Sequence, residues 1–321
     1  MSATSSATGV RVALAPEGLR PWIADAIRAG GGTVVSPDAD ANASVLVWAD
    51  PHNVGELDEL LRADRQGSNS IRWVQLPYAG VEPFADVIAH NQELTWTCAK
   101  GVYAEPVAEH ALTLLLAGLR GLGTYGRAST WRPPQGTNLL GAKVVILGGG
   151  GITASLLRLL EPFGADVTVV RRHASADGLV GAARVVDVSQ LDDALDGAVG
   201  VVLALALTPE TTGIIARAQL ARMSAHGWIV NVARGRHIVT DDLVDALKAG
   251  AIGGAALDVT DPEPLPDSHP LWSLPNCIIT PHVGNTPEMA VPLLAARVAE
   301  NIRRWDAGEP VLGLVDTSLG Y

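Results

Sequence analysis

The chain has 321 residues, 48% hydrophobic and 18% charged, with a formal net charge of −11. That composition fills two cores and excludes a disordered chain, and its acidity argues against nucleic acid or an anionic membrane as partner, since both demand a basic face. Cys98 and Cys277 are its only two cysteines and lack metal-ligand spacing, so no metal is expected and a reduced compartment is.

In chain order, the opening M1-S-A-T-S-S-A-T8 has neither the basic nor the apolar stretch of a secretory leader. The longest apolar run, Ala198 to Leu207, is far shorter than the ~20 residues of a membrane span, so a cytoplasmic protein is expected. Val10 to Ala15, Val45 to Trp48, Ile71 to Leu76 and Leu94 to Thr97 predict strands, while Trp22 to Ala29 and Val54 to Leu61 carry apolar residues at helical spacing. Such alternation predicts a parallel sheet covered by helices. Pro106 to Arg120 predicts a helix, and its wide stripe of Val107, Leu112, Leu115, Leu116 and Leu119 asks for burial on more than one side. From Lys143 the pattern restarts, with strands at Lys143 to Leu147, Val167 to Val170, Val201 to Leu205, Trp228 to Asn231, Gly254 to Leu257 and Ile278 to Thr280. A last helix, Pro287 to Trp305, returns to the first unit. The fold expected is α/β, with two doubly wound parallel-sheet domains. One spans residues 1–102 and 284–321; the other, residues 103–283, is inserted into it with hinges near Gly101 and Gly284.

L147-G-G-G-G-I-T-A154 lies between a predicted strand and a predicted helix, the setting of a dinucleotide fingerprint. Glycines there let the backbone approach a pyrophosphate, and the helix N-terminus offers it free N–H groups. Two registers fit: Gly148-x-Gly150 with Thr153 third, or Gly149-x-Gly151 with Ala154 third. A glycine-rich turn without a ligand is the bland reading, disfavoured by strand, helix and second strand in order. The second strand ends in V170-R-R-H173, where an NAD site usually carries an acid for the ribose hydroxyls. Arg171 and Arg172 would instead pair with a 2′-phosphate, so NADP is favoured over NAD; two solvated arginines are the plain alternative.

Of eight histidines, His282 alone sits in a strand-end loop, T280-P-H-V-G284. His110 reads as a core or interface residue on the apolar helix, and His52, His90, His173, His226, His237 and His269 as loop or surface positions. Arg234 follows W228-I-V-N-V232, and Glu263 stands between Pro262 and Pro264. Singly, each has an ordinary explanation: an anchor, a turn acid, a loop histidine. Together they follow strands on one edge of a parallel sheet, where ligands of open α/β folds bind. Arg234 would grip a carboxylate and polarise the adjacent carbonyl. His282 as imidazolium would give a proton to the keto oxygen as hydride arrives, with Glu263 holding the ring and stabilising its charge. Asp258, closing G254-A-A-L-D258, is placed to orient a nicotinamide or tune the histidine.

These residues in this order resemble the D-isomer-specific 2-hydroxyacid dehydrogenase family along nearly the whole chain. The segments that carry the resemblance are Q75-L-P-Y-A-G-V81, V107-A-E-H110, L207-T-P-E-T211, N231-V-A-R-G235, D242-L-V-D-A-L247, G254-A-A-L-D-V259, E263-P-L265 and T280-P-H282. It implies an NAD(P)-dependent oxidoreductase acting on CH–OH donors, with a Rossmann-type cofactor domain inserted into a flavodoxin-like substrate domain. Arg234, Glu263 and His282 would be catalytic, with Asp258 behind them. The first glycine register is implied, with Gly148, Gly150, Gly151, Ile152 and Thr153 at the cofactor. Arg171, Arg172, Leu207, Thr208, Pro209, Thr212, Val232, Ala233, Asp258 and His282 would join them. Thr153 departs from the usual glycine or alanine; its β-branch would push the helix from the strand and weaken nucleotide binding. L203-A-L-A-L-T208 also departs, lacking a histidine and proline often found ahead of T-P-E-T. On the substrate side the resemblance implies that the N–H groups of Ala79 and Gly80 help Arg234 hold a carboxylate, with Tyr78, Trp48 and Tyr103 lining the site. It further implies a homodimer through the Pro106–Arg120 helix and the neighbouring arm, including Trp131.

A phosphorylated substrate such as 3-phosphoglycerate would want bases from the first domain. V47-W-A-D-P-H52 presents Trp48 and Asp50 instead, and the Q75–G80 loop has no base. An unphosphorylated 2-oxo or D-2-hydroxy acid is therefore expected, with glyoxylate and hydroxypyruvate reduction leading and D-3-phosphoglycerate dehydrogenation the alternative. A larger apolar 2-oxo acid also fits the aromatic residues. Formate oxidation does not, because the formate enzymes of this superfamily carry glutamine where Glu263 stands. From a different class, a nucleotide-sensing interaction protein with little turnover also fits the cofactor motif.

Overall fold

The structure, a computed structural model, describes residues 9–37, 42–174, 179, 181 and 184–317. The opening segment, residues 1–8, on which the expectation of no secretory leader rested, lies outside them. Two compact units divide the chain, Met1–Tyr103 with Pro287–Tyr321, and Ala104–Thr286. Among the described residues no helix is long and apolar enough to cross a membrane.

The first unit runs β1 (Arg11–Ala15), α1 (Trp22–Ala29), β2 (Thr33–Val35), β3 (Val45–Trp48), α2 (Val54–Gln66), β4 (Trp73–Gln75), α3 (Ala85–His90) and β5 (Thr95–Thr97). Its five strands form one parallel sheet in the order β2-β1-β3-β4-β5. A parallel sheet is covered on both faces, so its central strands must be apolar throughout. β3, V-L-V-W, meets that demand with every residue buried. β2 escaped the sequence reading because it is three residues long, partly exposed and at the sheet edge.

The second unit contains α4 (Ala104–Leu119), α5 (Leu122–Tyr125), β6 (Lys143–Leu147), α6 (Gly151–Leu160), β7 (Asp166–Arg171), β8 (Arg184–Asp187), α7 (Leu191–Leu195), β9 (Gly200–Leu203), α8 (Arg217–Leu220), β10 (Trp228–Asn231), α9 (Thr240–Ala249), β11 (Gly254–Leu257) and β12 (Cys277–Ile279). Its seven parallel strands are ordered β12-β11-β10-β9-β6-β7-β8. β6 to β8 wind one way and β9 to β12 the other, so the order reverses between β6 and β9. That reversal leaves a crevice at the strand ends, the usual ligand position in such sheets. α4 is buried on two sides, as its wide stripe demanded, and packs on both α6 and β10. Gly118 makes the latter contact possible, because a Cβ there would lie 2.3 Å from the Trp228 ring. β8 was not anticipated; it is four residues long, lies at the sheet edge and exposes Arg184.

The last helix, α10 (Pro287–Asp306), belongs to the first unit and packs on α1. A buried polar network ties it to the sheet. Asn301, fully buried, donates to Gln75 Oε1 at 3.0 Å and to the Leu312 carbonyl at 2.9 Å, and accepts from Leu312 N at 2.8 Å. Gln75 Oε1 also accepts from the Thr97 hydroxyl, which in turn accepts from the Trp73 indole. A network so fully satisfied rigidifies a core, and one missing member strands the rest. Asn301→Ala is expected to lower the unfolding free energy by ~3 kcal/mol. Urea denaturation followed through tryptophan fluorescence measures it, and a loss under ~1 kcal/mol would mean that water replaces the amide.

Candidate active site

The glycine loop leaves β6 at the point where the strand order reverses. Gly148 has φ +113°, and a Cβ there would stand 2.2 Å from the Ala204 carbonyl oxygen, so only glycine fits. Gly150, the N-cap of α6, makes no side-chain cap, and a Cβ on it would meet no atom within 4 Å. The space beside the start of the helix is therefore open and no side chain caps it, as an anion site requires. Thr153 corrects an expectation. Its side chain is fully buried, and its hydroxyl donates to the Gly148 carbonyl at 2.8 Å, so the β-branch is packed within the turn and pins the loop. Arg171 leaves the end of β7 and lies across the loop, with its Nε 2.8 Å from where a Gly149 Cβ would be. Arg172 is exposed and acts on Glu210, whose carboxyl is held below its ordinary range chiefly by the Thr208 hydroxyl and in smaller part by that guanidinium.

The turn from Leu207 to Thr212 is built by threonines. Thr208 N donates to Thr211 Oγ1 at 2.8 Å, Thr211 Oγ1 donates to the Ala206 carbonyl, and Thr212 Oγ1 donates to the Thr208 carbonyl. Beneath it lies His237, read from sequence as a loop or surface residue. It is fully buried instead: Nδ1 lies 3.0 Å from the Thr211 carbonyl and Nε2 3.3 Å from that of Leu205. Val232 and Ala233 have their side chains packed into the two cores of this unit. Only their main chain is left for a cofactor.

Arg234, Glu263 and His282 follow the ends of three neighbouring strands, with Asn231 in register with Leu257 and Leu257 with Ile279. After β10 the Asn231 side chain folds the turn back on itself, accepting from Ala233 N at 3.0 Å and donating to the Arg234 carbonyl at 2.8 Å. Half-buried Arg234 is braced at Nη1 by the Ala233 carbonyl, 2.8 Å away. Gly235 then presses on the β11 loop, for a Cβ there would lie 2.0 Å from the Thr260 carbonyl. That loop carries Glu263, between Pro262 and Pro264; its Oε2 accepts from Thr260 N at 3.4 Å, and its Oε1 lies 2.7 Å from His282 Nδ1. Both side chains are near half exposed, 41% for Glu263 and 54% for His282, so the pair adds at most ~1 kcal/mol to stability and acts mainly to orient the ring.

His282 has φ +54°, a left-handed conformation that costs a β-carbon residue ~1–2 kcal/mol. What holds it there is Asp258. The Asp258 carbonyl accepts from His282 N at 2.8 Å; its Oδ1 accepts from Thr280 Oγ1 at 2.6 Å and Val283 N at 2.9 Å, and its Oδ2 accepts from Gly284 N at 2.9 Å. Asp258 thus touches His282 through the backbone and not through the imidazole. Gly284, expected near a hinge, is clasped within the second unit. His110 on α4 completes the group, with Nε2 3.1 Å from Thr280 Oγ1 and 3.2 Å from Asp258 Oδ1. Because the Thr280 hydroxyl donates to Asp258, the ring nitrogen must donate, which sets the Nε2–H tautomer. From sequence His110 reads as a core or interface residue, without these partners. A polar residue on an otherwise apolar helix face was the available signal.

In the first unit, Tyr78 and Ala79 are exposed and Gly80 is half-buried. Among the described residues the N–H groups of Ala79 and Gly80 enter no hydrogen bond. Tyr103 is half-buried, its hydroxyl donating to the Pro77 carbonyl at 3.5 Å. Trp48 contradicts its expected place on the substrate side. As the last residue of β3 it is fully buried, packed among Leu46, Leu57, Leu76 and Phe84, because its alternation points it into the sheet–helix core.

A model of the D-isomer specific 2-hydroxyacid dehydrogenase NAD binding domain matches residues 112–284. A glyoxylate/hydroxypyruvate reductase A of Serratia proteamaculans is 32% identical over 86% of this chain and 87% of its own. The structure of a D-isomer specific 2-hydroxyacid dehydrogenase from Xanthobacter autotrophicus with NADPH and MES superposes with a TM-score of 0.79 at 28% identity, covering 98% of this chain and 100% of that one. An NADPH-dependent glyoxylate/hydroxypyruvate reductase from Sinorhizobium meliloti, solved with NADP and sulfate, gives 0.76 at 25% identity over 98% and 100%.

Burial pushes the Asp258 carboxyl up, but the donors His110, Thr280, Val283 N and Gly284 N outweigh it and hold the group at about 2, below its ordinary 3.8. A depressed carboxyl stabilises the fold fully above its unfolded value and loses that contribution as pH falls through its folded value. The difference in Tm between wild type and Asp258→Asn should therefore be widest above pH 3.8 and close as pH falls to about 2. A gap that does not change over that window would mean the charge of Asp258 contributes nothing.

Proposed function

The chain belongs to the D-isomer specific 2-hydroxyacid dehydrogenase family, oxidoreductases that act on CH–OH donors with NAD(P), and from that premise we propose that it reduces a small 2-oxo acid, glyoxylate or hydroxypyruvate, to the D-2-hydroxy acid. The observation that carries the proposal is the 2.7 Å contact of His282 Nδ1 with Glu263, on the sheet edge that also bears Arg234.

A nicotinamide nucleotide bound at the second unit supplies the hydride. The amide groups of Gly150, Gly151, Ile152 and Thr153 would take its pyrophosphate over the turn at Gly148, with Leu207, Thr208, Pro209, Thr212 and the main chain of Val232 and Ala233 along its length. Arg171 and Arg172 would take a 2′-phosphate, which supports NADP over NAD. Arg234 binds the substrate carboxylate, preferably bidentate, and draws charge from the adjacent carbonyl. With Nδ1 engaged by Glu263, His282 presents Nε2–H to the keto oxygen and hands over its proton as the alkoxide forms. Glu263 holds the ring in that orientation through its contact with Nδ1. Asp258 acts one step back, by fixing the main chain of His282.

The first unit is read as the substrate domain, through Tyr78, the Ala79 and Gly80 amides and Tyr103, with Trp48 withdrawn. A homodimer in the cytoplasm completes the proposal. Its support is the segment after α4, where Leu122, Leu140 and a wholly exposed Trp131 offer apolar surface to a partner.

Two measurements test the proposal. His282→Asn keeps a hydrogen-bond donor but cannot deliver a proton, so kcat with glyoxylate should fall by ~10²–10⁴-fold; a loss under ~10-fold would remove His282 as the acid. For the cofactor, kcat/KM with NADPH should exceed that with NADH, and replacing Arg171 and Arg172 together by alanine should erase the difference. A wild type that prefers NADH would refute the assignment of those arginines.

A further inference from the structure

Along the chain, the Gln75–Gly80 loop has no base, and folding brings one to it. Arg20, in the loop after β1, holds its guanidinium carbon 5.5 Å from the centroid of the Tyr78 ring, a cation–π distance. Loops that follow β1 and β4, separated in the sheet by β3, thus meet at the C-terminal edge of the strands.

Arg20 differs from an ordinary surface cation in three respects. Its backbone is left-handed, with φ +72°, a conformation that a residue with a side chain adopts only against strain. The side chain is half-buried, and among the described residues no hydrogen bond or ion pair engages its guanidinium. It also bears on a second residue of the same edge. Tyr103, after β5, has its phenol pushed up to about 12 by burial, and Arg20 is the foremost charge opposing that rise. Arg297 on α10 opposes it as well, so two guanidinium groups act on that phenol.

The chemistry of the group is that of donors lacking acceptors. The contact with Tyr78 uses none of the guanidinium N–H groups as hydrogen-bond donors and leaves them available. The Ala79 and Gly80 amides stand next to Tyr78 in the chain. Two amides and a guanidinium fit a ligand with oxygen at both ends. Building on the 2-oxo acid reading above, we propose that Arg20 determines specificity. With the substrate carboxylate at the Ala79 and Gly80 amides, Arg20 hydrogen-bonds an oxygen substituent on the third carbon and selects 2-oxo acids that carry one.

Hydroxypyruvate and pyruvate are equal in length and differ by that hydroxyl, while glyoxylate has no third carbon. The test is kcat/KM for the three acids with wild type, Arg20→Met and Arg20→Gly. Methionine keeps an unbranched stem, and glycine suits the left-handed backbone, so a folding defect does not confound both variants. Wild type should prefer hydroxypyruvate to pyruvate by ~10–100-fold, and both variants should reduce the preference to within ~3-fold while glyoxylate falls far less than hydroxypyruvate. A preference that survives in both variants, or one common loss for all three acids, overturns the role of Arg20. Wild type that turns over none of the three with either cofactor instead overturns the 2-oxo acid reading, and this proposal with it.

Discussion

The second unit's site depends on one buried carboxylate. Asp258 stands at the end of β11 with four donors gathered on its two oxygens, and its carbonyl takes the amide of His282. Burying a charge without partners would cost several kcal/mol, so the donors must stay where they are once the strand is buried. The loop from Thr280 to Gly284 is thereby closed around the carboxylate. His282, inside that closure, accepts a left-handed backbone it would otherwise avoid. Strain at the histidine is the counterpart of satisfaction at the aspartate.

A second constraint joins the remaining loops. Gly235 lies so close to Thr260 that no side chain is possible, and Thr260 N reaches back to Glu263. The turn that carries Arg234 and the loop that carries Glu263 therefore share a backbone contact. Exposed side chains such as Glu263 and His282 gain little from their own ion pair. Their geometry is set by main-chain contacts beneath them. This division is common to sites that must be rigid at the backbone and open to a ligand above.

Around the glycine loop the same economy holds. Gly148 is required by its close approach to Ala204, Thr153 ties its hydroxyl to that glycine, and Gly150 leaves space beside the helix start. His237 sits below the neighbouring threonine turn with a carbonyl at each ring nitrogen. A neutral imidazole can donate to only one of them at a time.

Local pattern determined the fold class here. Continuous apolar runs as short as β6 and β3, rich in valine and bounded by turn residues, read as strands buried on both faces, and the restart at Lys143 announced a second sheet. Glycine spacing marked the loop after β6, and strand-end positions marked Arg234, Glu263 and His282, because a parallel sheet presents all its C-terminal ends to one edge. Short or edge elements, β2, β8 and α3, had too few residues for any periodicity to show. Side-chain destinations were decided only by the tertiary structure. Trp48 went to the core, His110 and Asp258 became partners across 148 residues of chain, Thr153 found an acceptor, and Arg20 came to rest on Tyr78. Each of these depends on which groups meet after folding, and contact between residues distant in sequence is information that spacing along the chain does not contain.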